Sequence, residues 1–257
     1  MVMATHPMPL AQREAGMLAM WWRLALLGAI GTASLILAPL ERLVQIPIDP
    51  LALRLLSTIQ PTILMLLMAA LGLWLAPKVG FDAPVVRAWA KRERLWPALR
   101  PQLVPAMLAG LAVAVLLVAF WTYVRVQPAA VPLLGLEMPL LTRLLYGGIV
   151  EELLLRWGIM SLFVWLIWRA TGARRPVPSW CIWGGLGAAA LLFAAGHLPV
   201  LHLLIPDPPA SLIVLVLVAN ALPGMLFGWL FWRRGLEAAM GAHALAHLFG
   251  WAALAIT

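Results

Sequence analysis

Seven long apolar stretches, parted by short runs of charge and proline, govern what this chain can fold into. They run over about 18–40, 51–76, 103–124, 138–168, 180–198, 209–232 and 236–256. About 20 apolar residues in a helix cross a hydrocarbon core, because a helix satisfies its backbone polar groups within itself. The chain is therefore expected to be an all-α, polytopic transmembrane helix bundle of about seven spans, six to eight by length. Hydrophobic residues make up 64% of the 257 and charged residues only 11%, with a mean hydropathy of +0.96. A soluble domain is nearer one quarter charged, so the balance excludes that class along with disordered and collagenous chains. The single cysteine, Cys181, closes no intramolecular disulfide. The first span is not followed by a small-residue cleavage site and is expected to be retained.

The charges orient the spans. With an inside N-terminus, thirteen of the Lys and Arg residues fall in inside segments: Arg13, Arg23, Lys78, Arg87, Lys91, Arg92, Arg94, Arg100, Arg169, Arg174, Arg175, Arg233 and Arg234. Only Arg42, Arg54, Arg125 and Arg143 fall outside, and Arg156 lies within the fourth span. This alternation follows the positive-inside rule. It predicts an integral membrane protein with a cytoplasmic N-terminus, in the inner membrane of a bacterium. The net charge of +8 calls for no nucleic acid, since basic loops beside an anionic leaflet of membrane lipids account for it. Tryptophans near span ends, such as Trp21, Trp22, Trp74, Trp121, Trp168, Trp180 and Trp232, suit the headgroup boundary.

The long connection at 77–102 is expected to be a cytoplasmic interfacial segment. Over Ala83 to Leu99, Val85, Val86, Trp89, Trp96 and Leu99 can share one helical face, with Arg87, Lys91, Arg92 and Arg94 on the rest. No repeat, soluble domain or low-complexity tail interrupts residues 1–257, which read as a single membrane domain.

Ionisable groups inside a span cost about 2.5–3.5 kcal/mol each at a helix centre even on the lenient insertion scale. They cluster late in this chain: Glu151, Glu152 and Arg156 in the fourth span, His197 at the end of the fifth, His243 and His247 in the seventh. His6 and His202 fall in a tail and a loop. Glu152 and Arg156, four apart, stack on one helical face and neutralise each other. Glu151 is rotated about 100° from Glu152 and faces a different neighbour. The spacing thus separates a structural glutamate, Glu152, from a chemical one, Glu151, since a desolvated carboxylate suits proton transfer. Phe193 and His197 share a face, as do His243 and His247. Small residues around them, including Gly184, Gly185, Gly187, Ala194, Ala195 and Gly196, permit close helix approach. Spans four, five and seven are expected to converge on one polar pocket.

The segments EELLLR at 151–156, FAAGH at 193–197 and HALAH at 243–247 resemble the three motifs of the CAAX protease and bacteriocin-processing (CPBP) membrane family. These are a double glutamate with arginine four after the second, phenylalanine four before histidine, and histidine four before asparagine or aspartate. The resemblance runs from about Leu140 to the C-terminus, strengthened by GMLFGWLFWRRGLEAAMGAH at 224–243, and implies a catalytic core at 138–257. Single short motifs recur by chance, whereas three in order on successive late spans are specific.

The resemblance implies an intramembrane endopeptidase of the type II prenyl-protein protease kind, acting on a membrane-associated protein or peptide. Glu151 would be the general base, His197 would orient the water, and His243 would donate to the oxyanion. Glu152, Arg156 and Phe193 would support them. His247 departs from the family's asparagine or aspartate. A neutral histidine can still donate one hydrogen bond, so His247 can serve the oxyanion pocket. No cofactor is expected, although His197, His243, His247 and Glu151 also form a possible zinc set. Two other classes use the same residues: a non-catalytic bacteriocin-immunity or scaffold protein, and a proton-coupled transporter. The charge count puts Glu151 and His197 in the outer half of the bilayer, whereas prenyl-protein processing is a cytoplasmic activity. A pocket opening inward, a miscounted span or an external substrate would each reconcile the two.

Overall fold

The computed structural model describes residues 10–43, 47–134, 138–173 and 175–256, with only the backbone at 10–15; His6 and Arg174 lie outside the described residues. Every regular element among these is helical. Helix α1, Leu10–Ala33, runs on into a 3₁₀ turn, Ser34–Leu37. Helix α2, Pro50–Ser57, starts where the Asp49 carboxylate accepts from the Ala52 N–H at 3.0 Å, with Pro50 at the position where its missing N–H costs nothing. Helix α3, Ile59–Leu75, continues its direction. Then come α4, Pro84–Ala90, α5, Trp96–Arg125, and the short α6, Val131–Leu134. Helix α7 is one rod over 140–170, followed by α8, Ser179–Ala195, α9, Leu198–Leu204, α10, Ala210–Arg234, and α11, Leu236–Leu254.

Five helical stretches among the described residues are long and apolar enough to cross a membrane: Gly16–Leu37, Pro50–Val79, Trp96–Arg125, Ser179–Leu204 and Ala210–Arg234. The other two expected spans, 138–168 and 236–256, are helical as α7 and α11. They hold the glutamates, Arg156 and two of the histidines, which break up the unbroken apolar run that marks a lone membrane helix. Large apolar side chains such as Leu67, Leu108, Val115, Leu191 and Val214 point outward from the bundle. A contiguous belt of this kind is the lipid-facing surface of an integral membrane protein.

The segment at 77–102 differs from expectation. Instead of one amphipathic helix over 83–99, α4 ends at Ala90, Arg92 turns the chain at φ 59°, and α5 begins at Trp96, ahead of the expected 103. Helix α4 is docked on protein. Val86 is buried and its N–H donates to the Glu237 carboxylate at 2.7 Å, while the Leu236 N–H donates to the Asp82 carbonyl at 3.0 Å. These two contacts tie α4 to the first turn of α11, whose backbone N–H groups and acidic residue periodicity alone does not place.

Helix α11 packs lengthwise on α5 and also on α7 and α10. At Gly110 of α5 an added Cβ would stand 2.9 Å from the Ala242 carbonyl oxygen, so the two backbones touch through the missing side chain. Gly110→Leu should push α11 outward, costing about 1–3 kcal/mol as overpacking does. A lowered melting temperature in detergent is the expected reading, with Val115→Leu on the exposed face of α5 as the comparison.

Two apolar clusters fill the bundle. The larger includes Trp157, Phe227, Phe231, Leu230 and Leu236; the smaller, towards the far ends of α5 and α10, includes Val124, Leu133, Leu201 and Val216. The site lies between them.

Candidate active site

The EELLLR motif sits in the middle of α7, where Arg143–Glu151 and Leu153–Met160 are wound as π turns on either side of Glu152. Such i→i+5 turns are uncommon and concentrate at functional sites. Glu152 is fully buried. Its Oε1 lies 3.1 Å from Arg156 Nη1 and accepts from His243 Nδ1 at 2.8 Å. Arg156 also donates through Nη2 to the Gly224 carbonyl of α10 at 3.3 Å, and its guanidinium lies over the rings of Phe193 and Phe227 at 5.2 and 5.6 Å. One carboxylate thus ties α7 to α11, and one guanidinium ties α7 to α8 and α10. Burial without such partners would cost several kcal/mol per charge.

Glu151 points elsewhere. Its side chain is 22% exposed and faces a cavity, with Oε2 3.9 Å from His243 Nε2, beyond direct hydrogen-bond reach. His197 lies between α8 and α9, one residue beyond the point where α8 gives way to a turn. Its Nδ1–H donates to the Phe193 carbonyl at 2.9 Å, and its ring meets the Phe193 ring edge-on at 4.8 Å. That bond sets the tautomer and leaves the Nε2 lone pair as the ring's acceptor. His243 stacks on both Phe227 and His247, at 4.8 and 5.0 Å between centroids. Gly147 makes room for His247: a Cβ there would be 3.1 Å from the imidazole Nε2.

Glu151, His197, His243, His247 and Phe193 all line one cavity of about 450 Å³, within the range of small-ligand sites. Its remaining walls are mostly apolar side chains of α5, α7, α10 and α11. Glu152 and Arg156 stand behind it and are absent from its lining. Spans four, five and seven converge on this cavity as expected, and the two glutamates face different ways, Glu151 into it and Glu152 behind it. Four further polar residues on the wall, Thr142, Arg143, Tyr146 and Asn220, escaped the sequence reasoning as parts of the site. Asn220 had a readable signal, a lone amide inside the apolar run LVLVANALPG. Tyr146 did not. Five residues before Glu151, it falls on another face of an α-helix, but π turns stack residues five apart.

The four donors proposed for zinc share the cavity without focusing on a point. Among the described residues, no three His, Cys, Asp or Glu side chains form a group that could hold a metal ion. His243 Nδ1 is taken by Glu152 and His197 Nδ1 by a carbonyl, which leaves Nε2 of each ring facing the cavity side.

Fold and site together define a polytopic helical membrane protein with a carboxylate–imidazole cluster facing an internal, mostly apolar cavity. Residues 133–249 match the family model described as type II CAAX prenyl endopeptidase Rce1-like. The match takes in all three motifs and is a likeness of that range to the family. The comparisons with curated proteins and with solved structures gave no match.

Proposed function

We propose that this protein is an intramembrane endopeptidase that hydrolyses a peptide bond in a membrane-associated protein or peptide. One observation carries the reading: Glu151 and three histidines line a single cavity, while the second glutamate and its arginine are buried behind it. Glu151 takes a proton from a water held with the help of His197 Nε2. The water oxygen then bonds to the scissile carbonyl carbon. Negative charge gathers on the carbonyl oxygen, where His243 and His247 stand as donors. Glu151 returns the proton to the amide nitrogen, the C–N bond breaks, and the amine leaves. These steps need no metal ligand from the chain.

The role of His243 carries a condition. With Nδ1–H given to Glu152, its Nε2 donates only when the ring is an imidazolium. Glu152 then acts as a positioning residue for both Arg156 and His243.

The test compares protein N-termini in membrane and secreted fractions of cells carrying the wild type or Glu151→Gln at matched expression. New termini confined to the wild type are expected; identical termini would instead favour the immunity or scaffold class. At His247, asparagine should keep most activity because its amide also donates. His247→Ala should lose about 10²–10³-fold in kcat, the usual cost of one oxyanion donor. Turnover of a peptide released in that screen checks both variants.

A further inference from the structure

We infer that substrate reaches this site from the external side of the membrane, and that the natural substrates are apolar, membrane-associated segments of exported proteins. The cutting step rests on the endopeptidase reading; the direction of access does not.

Two features at opposite ends of the bundle carry the inference. From the level of Glu151 the cavity runs to the end made by Leu40 after α1, Trp121 near the end of α5, Leu133 in α6, Met138 before α7 and Leu254 at the close of α11. No wall residue belongs to the other end. There the passage is blocked by solid core: Trp157, Leu230, Phe231 and Leu236 are all at most 1% exposed. Among the described residues, the cavity therefore extends from Glu151 towards that end and not towards the other.

The blocked end is the basic one. It carries the loops after α3, α4, α7 and α10, and a separate groove there is lined by Arg87, Arg94, Arg233 and Arg234. Basic side chains at this end lie over indole rings: Lys78 over Trp74 at 3.5 Å, Arg23 over Trp89 at 5.3 Å, Arg175 over Trp168 at 5.4 Å and Arg233 over Trp232 at 5.6 Å. Cations paired with amphipathic rings mark a headgroup boundary, and their excess marks the cytoplasmic one. At the open end Arg54 is neutralised by Glu41. The open end is thus external, and its rim of Leu40, Trp121 and Leu133 is apolar enough to admit a chain segment lying in the outer leaflet.

Thiol accessibility tests this in the full-length protein. The native Cys181 is fully buried and is replaced by alanine to remove background. Leu40→Cys and Met138→Cys report the open end, and Arg94→Cys reports the basic end. A membrane-impermeant maleimide is applied to intact spheroplasts and to inverted membrane vesicles. Label at positions 40 and 138 in spheroplasts, with label at 94 only in inverted vesicles, is the expected pattern. Label at 40 and 138 confined to inverted vesicles overturns the inference. Met138→Cys supplies an independent reading should Leu40→Cys fail to accumulate. A fusion carrying an apolar segment outside the membrane is then followed for cleavage: external labelling with no Glu151-dependent cut supports the access route and sinks the endopeptidase reading alone. A cut that depends on Glu151 but falls only in a cytoplasmic fusion overturns the inference and spares the enzyme.

Discussion

Glu151→Gln is expected to lower peptide-bond hydrolysis by about 10²–10⁴-fold, the contribution of a positioned general base, with folded yield unchanged. The substitution keeps the side chain's volume and its capacity to accept a hydrogen bond. It removes only the ability to take a proton. Glu151 faces the cavity, is partly exposed, and its Oε2 stands 3.9 Å from His243 Nε2, outside direct hydrogen-bond reach. The loss should therefore appear in kcat with KM nearly unchanged, because the apolar walls that hold the substrate are intact. Size-exclusion elution and a thermal melt in detergent, beside turnover of a released peptide, separate this outcome from simple misfolding. Equal turnover by the variant and the wild type would remove Glu151 from the chemistry.

Glu152→Leu, one residue along, is expected to act on stability. It leaves the Arg156 guanidinium buried without its carboxylate and deprives His243 Nδ1 of its acceptor. Breaking a buried pair from one side costs about 3–5 kcal/mol, because the remaining charge stays desolvated. A fall in melting temperature and in folded yield should result. Removing both charges, as Glu152→Leu with Arg156→Met, should recover much of that stability, since an apolar replacement of a buried pair is often neutral. Activity should not return with it, because His243 still lacks its acceptor. The pair of readings distinguishes a positioning residue from one that is only structural. Stability restored together with turnover would show that the His243–Glu152 bond does nothing for the reaction.

These neighbouring glutamates show how much of the site was legible in the chain. Their difference follows from helix periodicity alone: four residues separate Glu152 from Arg156 and five separate Glu151 from it. The pairing survives even though π turns flank Glu152, because Arg156 lies on the same wall as its partner carboxylate. Tyr146 shows the limit of that reasoning. An α-helical spacing rule sends it away from Glu151, and only the wider π turns bring it to the same cavity. His197 is a second case. Its four-residue spacing from Phe193 was readable, and the Nδ1–carbonyl bond between them follows from it, but the chain leaves α8 just before His197 in a turn that the run FAAGHLP does not announce. The interfacial segment went the other way. Its amphipathic pattern is real, yet Val86 spends its apolar face and its N–H on α11 rather than on lipid.

By itself the sequence determined that this chain is a membrane helix bundle, which end of each span is basic, and which few ionisable residues must be partnered inside it. These are properties of single segments: apolar length, loop charge and spacing along one helix, all set by neighbours close in the chain. Only the tertiary structure decided that His243 shares the Glu152 oxygen with Arg156, that Gly110 and Gly147 let α11 come close to α5 and α7, and that Glu151 and three histidines line one cavity. Those depend on how helices are rotated and crossed. Rotation is decided where small residues allow backbones to touch and where buried charges find partners, at contacts between residues as far apart in the chain as Glu152 and His243.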